Sequence, residues 1–182
     1  MEKLSINDAS KLFSSFCGFP TVLVTSYQSG LLNKYKSVSD ENNIITVTLI
    51  HIFSFSPPLI GIGIKPERYS YHLIRQSKEF VINIPMKDLL SATIFCGTKS
   101  GRDVDKFKET GLTKEPSLSV QTISIKECPV NIECKVVKEI DCGDRTWFIG
   151  EIINGKIAKD YRLEDTILYW RGIYRLPGQI IK

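Results

Sequence analysis

The sequence predicts a mainly β (α+β) domain, a closed barrel of six or seven strands with a few helices inserted between them. Three observations carry this. Short β-branched runs recur along the chain, parted by Pro, Gly, Asn and Asp. Helical spacing of apolar residues is confined to a few short windows. Long β-α-β units are absent, which disfavours a Rossmann sheet. At 182 residues the chain suits one domain spanning 1–182, with no internal repeat and no low-complexity tract.

Taken in order, Asn7 is placed to cap a first helix with Ala9, Leu12, Phe13 and Phe16 on one face, ended by Cys17-Gly18. Pro20 opens the strand Thr21–Thr25. The polar stretch Leu32 to Asn43 reads as a hairpin loop. Two strands follow, Ile44–Ile50 and Leu59–Ile64, parted by the Pro57-Pro58 turn. Tyr69, Leu73 and Ile74 predict a short helix that leads into the strand Glu79–Ile84. Met86, Leu89, Leu90 and Ile94 form one helical stripe; Val104, Phe107 and Leu112 form the next. The last third returns to strands: Gln121–Lys126, Val130–Ile140, Trp147–Ile157 and Ile167–Tyr174. Asp141-Cys142-Gly143-Asp144 is a hairpin turn between two of them.

Composition narrows the function. Hydrophobic residues make up 42% and charged residues 24%, ordinary values for a globular protein. Lys and Arg exceed Asp and Glu by 24 to 20, a net +4, which lacks the dense basic stripe expected of a nucleic-acid binder and suits a small anionic ligand. The longest apolar stretch, Ile44 to Ile64, is broken by His51, two serines and Pro57-Pro58, so no membrane span is expected. The N-terminus lacks a signal-peptide layout, and the five cysteines contain no C-x-x-C pair. They are expected to be reduced thiols in a cytoplasmic protein. His51 and His72 do not stand at zinc-finger spacing from any cysteine pair, so no metal site is expected.

Two turns carry candidate chemistry. Arg68-Tyr69-Ser70 opens a predicted helix after Pro66, where an arginine, a hydroxyl and unused backbone N–H groups suit a phosphate. The plainer alternative is that Ser70 caps the helix and Arg68 pairs with Glu67 or solvent. The second turn is Cys96-Gly97-Thr98-Lys99-Ser100-Gly101, followed by Arg102 to Phe107. Its glycines let backbone approach a ligand closely, yet it lacks the G-x-x-x-x-G-K-[ST] order of a nucleotide-hydrolase loop. The alternative is a loop whose Ser100 caps a helix, with Asp103 and Asp105 in its first turn and Lys106 as one more solvated charge. Cys96 has no His or Asp in a recognisable relation to it, which favours a small buried residue over a nucleophile. His72 is expected to pack between apolar neighbours. Trp147, Tyr169, Trp170 and Tyr174 give the C-terminal strands an aromatic surface for core packing, a dimer interface or a platform for a planar ligand.

These pieces follow one another as in a known family. Asn43 to Thr48, Pro57-Pro58-Leu59, Arg68-Tyr69-Ser70, Glu79 to Pro85, Cys96-Gly97 with Ser100-Gly101, Asp105-Lys106-Phe107 with Gly111-Leu112, Cys128-Pro129 to Cys134, and Phe148 to Glu151 occur in order. Over roughly Pro20 to Tyr174 the chain resembles the flavin reductase-like FMN-binding proteins, most of all the flavoredoxin subgroup. The resemblance implies an FMN-binding split β-barrel, a homodimer with FMN near the subunit interface, and NADH or NADPH as co-substrate. Hydride would pass to the flavin and electrons onward to free flavin, a ferric complex or a protein acceptor. The alternative it allows is a non-enzymatic FMN electron carrier. A split barrel that binds haem or no ligand is a third reading, made less attractive by the presence of only two histidines.

Carried over by position, Asn43 with Thr46, Val47, Thr48 and Leu49 would lie along the flavin ring, and Arg68, Ser70 and Lys106 would hold the phosphate. Cys96, Gly97 and Ser100 would approach the ribityl chain or ring edge, and Arg145 and Tyr174 complete the implied cofactor-binding set. No catalytic side chain is implied, since the flavin carries the chemistry. The chain departs from the pattern at Leu49, where the subgroup can carry Trp, and at Arg145, near a position often held by His. The segment Leu31–Glu41 also looks longer than the family's turn, as a cover for the site, a dimer extension or an inert loop.

Overall fold

The structure is a computed structural model and describes residues 13, 15–28 and 42–178. Most of the expected first helix and the segment Leu31–Glu41 lie outside these residues.

Strands β1 (Phe19–Pro20), β2 (Val22–Tyr27), β3 (Asn42–Val47), β4 (Ile50–Phe55) and β5 (Pro58–Ile64) lead to helix α1 (Tyr69–Ser77) and strand β6 (Glu79–Ile84). Helices α2 (Leu90–Thr98) and α3 (Lys106–Thr110) follow, then β7 (Lys114–Glu115) and β8 (Ser124–Ile125). The long pair β9 (Val130–Cys142) and β10 (Arg145–Ile157) precedes the short β11 (Leu168–Trp170) and β12 (Ile173–Arg175). The main sheet has seven strands in the order β3-β2-β6-β9-β10-β5-β4, and every neighbouring pair is antiparallel.

Its outer strands, β3 and β4, are separated in sequence only by Thr48 and Leu49. A flat seven-stranded sheet would hold its edges about 29 Å apart. The three Cα–Cα steps from Val47 to Ile50 reach at most about 11 Å. The sheet therefore curls until its edges meet. Among the described residues no ladder joins β3 to β4, and this linker bridges the two edges, where Gly63 N–H donates to Leu49 O at 2.8 Å. The result is a barrel split along one seam.

Both faces of β2 are buried, while β4 across the seam is largely exposed. Val22, Val24, Ile62, Phe80, Ile82 and Phe148 form the interior with Tyr71 and Ile74 of α1. Leu23 and Ile44 point outward and are covered by Cys96, Phe107, Leu112, Ile125 and Cys128. Strand β2 is consequently buried without alternation and apolar over Val22, Leu23 and Val24. A β-carbon on Gly150 would stand 2.6 Å from Phe80 Cζ, so glycine there lets the Phe80 ring lie across β10.

Three sequence expectations are corrected. The strand expected over Ile44–Ile50 ends at Val47, and Ile50–Phe55 is a separate strand on the other side of the seam. The strand expected over Gln121–Lys126 shrinks to β8, because side chains take its first main-chain groups: Gln121 N–H donates to the Glu79 carboxylate at 2.8 Å and Ile123 O accepts from the Thr25 hydroxyl at 2.6 Å. The final strand is a hairpin, turned at Arg171 and Gly172 with φ of 49° and 87°, the left-handed pair a two-residue turn requires. Among the described residues no helix is long and apolar enough to cross a membrane.

Candidate functional site

Two adjoining clefts of about 290 and 280 Å³ run along the seam and share Ile45, Lys65, Arg68 and Gly97. The first is walled by Asn43, Ser70, Cys96, Ser100, Gly101 and Lys106. Lys106 is the first residue of α3, whose N-cap is Asp105: its carboxylate accepts from Phe107 and Lys108 N–H. This turn lays the Lys106 side chain inward, 4% exposed, where Nζ donates to Ile44 O and Cys96 O, each at 2.7 Å. Two of its three protons are thus committed to β3 and α2, and the third is available to the cleft. Burial pushes the ammonium down to about 8; Cys96 pulls it back up and Arg68 pushes it further down. Burial likewise raises the Cys96 thiol to about 11, against an opposing pull from Lys106, so the thiol stays protonated at neutral pH.

Asn43 is buried beside Lys106. Its Nδ2 donates to Ser70 Oγ at 2.6 Å, while its Oδ1 is buried with no partner among the described residues. A β-carbon on Gly101 would stand 1.9 Å from that oxygen, so only glycine permits this wall. Arg68 is the backbone N-cap of α1, whose first turn holds no acidic residue. The helix dipole and the Arg68 charge therefore act in the same sense on the cleft.

The second cleft is lined by Ile45 to Leu49 on one side of the seam and by Gly63, Ile64, Lys65 and Arg145 on the other. The Thr46 hydroxyl donates to Thr93 O at 2.5 Å, anchoring α2, and Val47 points into the barrel core. Backbone of β3, with Thr48 and Leu49, is what this wall offers. A β-carbon on Gly97 would stand 3.2 Å from Thr46 Cβ, so Gly97 sets how closely α2 approaches β3. Lys65 and Arg145 converge on Asp144: Arg145 Nε and Nη2 donate at 2.8 and 3.0 Å, and Lys65 Nζ stands at 3.0 Å. Those two donors hold the Asp144 carboxyl down at about 2.

Twelve of the thirteen sequence-assigned residues line these clefts. Tyr174 does not: on β12 it stacks against Tyr169, with ring centroids 4.7 Å apart, and lines a separate cavity with Lys87, Leu90 and Ile167. Asn43 is displaced along the site, standing with Ser70 and Lys106 and not beside Thr48. Ser70 does not cap α1, lying inside the helix under Asn43. Ser100 accepts Arg102 N–H within its own turn, and Asp105 caps the helix in its place. Cys96-Gly97 is the last turn of α2, and Lys106 is buried where the plainer reading had it solvated. Lys65 and Asp144 were missed; the only available signal was their adjacency to the Arg68 motif and to Arg145.

A profile of the flavin reductase like domain matches residues 14–176. The chain belongs to the flavin reductase-like family. A protein of Archaeoglobus fulgidus is 41% identical over 125 residues, 68% of this chain and 71% of that one. A ferric-chelate reductase (NAD(P)H) of the same organism is 26% identical over 111 residues, 57% of this chain and 61% of that protein. Among solved structures, flavoredoxin of Desulfovibrio vulgaris (Miyazaki F) superposes with a TM-score of 0.82 at 24% identity, covering 100% of this chain and 96% of that one. An FMN-binding protein from Thermus thermophilus gives 0.81 at 18% identity, covering 100% and 99%. The likeness to these structures establishes the split-barrel fold of this flavin reductase-like chain.

Proposed function

We propose that this chain is an FMN-dependent oxidoreductase that takes hydride from NADH or NADPH and passes electrons to a flavin, ferric or protein acceptor. The observation that carries the reading is the buried Lys106, with the exposed Arg68 beside it, at one end of a seam whose β3 wall is largely backbone. The residues fit FMN: Lys106, Arg68 and Ser70 offer charged and hydroxyl donors suited to a phosphate monoester, and the unpartnered Asn43 Oδ1 suits a ribityl hydroxyl. Bound FMN supplies two-electron redox chemistry; the chain binds it, orients it and sets its surroundings. Lys106 and Arg68 would hold charge against the phosphate, and the β3 backbone with Thr48 and Leu49 would form the wall beside the ring. The thiol of Cys96 stays protonated and takes no part.

We also propose that a second copy of the chain packs on β4, where Phe53 and Phe55 of this edge strand stand exposed beside the seam. Phe55→Lys is expected to yield a monomer in sedimentation analysis. The protein is taken to work in the cytoplasm, where its five thiols remain reduced. The functional test is the visible spectrum after loading with FMN and desalting, followed by aerobic oxidation of NADH or NADPH. A retained flavin band with turnover supports the oxidoreductase. A retained band without turnover leaves an electron carrier. Loss of both overturns the reading.

A further inference from the structure

We propose that Arg145 and Lys65 form a second anion subsite, at the mouth of the ring-end cleft, that takes a phosphate group of a dinucleotide co-substrate. The inference rests on the function proposed above and names where its second substrate is held. Lys65 follows the last residue of β5 and Arg145 begins β10; the ladder between these strands ends at Thr146 opposite Ile64, so both side chains stand at the open end of the pair. They face one carboxylate, Asp144, which leaves one positive charge in excess, and Arg68 lines the same cleft.

The Arg145 guanidinium is held ready for a ligand. Its stem lies over Gly63, where a β-carbon would stand 3.4 Å from Arg145 Cδ, 3.4 Å from Trp147 Cε2 and 3.3 Å from Leu49 Cβ. The Nε and Nη2 edge is bound to Asp144, which leaves Nη1 to donate. Asp144 therefore fixes the arm and does not neutralise the pair. A fixed planar donor beside an ammonium matches the tetrahedral oxygens of a phosphate. The other end has the buried Lys106, with the exposed Arg68 beside it, for the flavin phosphate; Arg145 lines only the ring-end cleft and Lys65 borders both clefts, so the pair clamped on Asp144 is left for a different anion. A nicotinamide dinucleotide reacting at the ring end brings such charges with it, on its pyrophosphate and, in NADP, its 2′-phosphate.

The test is calorimetric titration of the FMN-loaded full chain with NADP⁺ and with NAD⁺, in the wild type and in Arg145→Gln and Lys65→Gln. Each variant is expected to weaken dinucleotide binding roughly 10-fold or more, the scale of one charge-assisted bond, and FMN binding by much less. Weakening with NADP⁺ alone assigns the 2′-phosphate; weakening with both ligands assigns the pyrophosphate. Unchanged dinucleotide affinity in both variants overturns the subsite, as does absence of dinucleotide binding to the FMN-loaded wild type. A parallel loss of FMN affinity also overturns it, because Arg145 then belongs to the flavin. A chain that retains no FMN overturns the function proposed above; the same titrations on the chain as purified then decide the subsite.

Discussion

The two ends of the seam hold their cations in opposite ways. At one end Lys106 is buried, two of its three protons are bound to main-chain carbonyls, and burial lowers its pKa to about 8. At the other, Arg145 and Lys65 are partly exposed and held by an exposed carboxylate. A desolvated cation interacts strongly with an anion that enters beside it, but its charge costs the empty fold stability. A solvated, clamped pair costs the fold little and offers geometry more than energy. The contrast fits a resident ligand at the buried end and an exchanging one at the mouth.

The comparison breaks most readily at the buried end. Lys106→Ala is expected to cost roughly 1.5–3 kcal/mol of FMN binding, read by fluorescence titration, with Arg68→Ala in the same range. Equal FMN affinity in both variants would remove the phosphate assignment. Gly101→Ala forces a β-carbon onto Asn43 Oδ1, and overpacking of this kind costs about 1–3 kcal/mol of stability, visible in the urea midpoint. It is expected to weaken FMN as well, since Asn43 must move.

Acidity separates the two ends more finely. FMN affinity is expected to fall as pH rises above about 8, because Lys106 then loses the charge the phosphate needs. Dinucleotide affinity at Arg145 is expected to stay level over the same range, since a guanidinium does not titrate there. Stability moves the other way. The ammonium ordinarily titrates near 10.5, so between 8 and 10.5 the unfolded chain binds more protons at this site, and the Lys106 contribution to the empty fold's stability rises with pH through that window. Burial raises the Cys96, Cys128 and Cys134 thiols, which lowers stability as pH passes 9, so the Lys106 sign is read as the difference between wild type and Lys106→Met in urea melts at pH 7.5 and 9. The smallest effect is expected of Asp144→Asn, which should leave the urea midpoint and FMN affinity unchanged while loosening NADP⁺, because Asp144 lies on the surface and acts only by fixing Arg145.

Much of this was legible in the chain. β-branched runs between turn residues marked β2, β5, β6, β9 and β10, and the spacing of Tyr69, Leu73 and Ile74 marked α1. The seam was not legible. Thr46 to Ile52 is a continuous β-prone run, and only closure of the barrel decides that Thr48-Leu49 crosses from one sheet edge to the other. The burial of Lys106 was hidden for a similar reason: local pattern places it on a short polar helix, and packing of α3 against β3 and α2 turns it inward. Tyr174 stands apart from the clefts because the hairpin at Arg171-Gly172 carries it into a separate small sheet. Asp144 and Lys65 are ordinary surface charges in sequence and acquire their role only where β5 and β10 end side by side.

The most direct test of the seam as an FMN site with its phosphate at the Lys106 end is a parallel fluorescence titration of the wild-type chain with FMN and with riboflavin at pH 7. Tighter binding of FMN by roughly 100-fold, the scale of two charge-assisted bonds, is expected, with the difference much reduced in Lys106→Ala. Equal affinity for the two flavins, or a preference for FMN that survives Lys106→Ala and Arg68→Ala intact, would contradict the account.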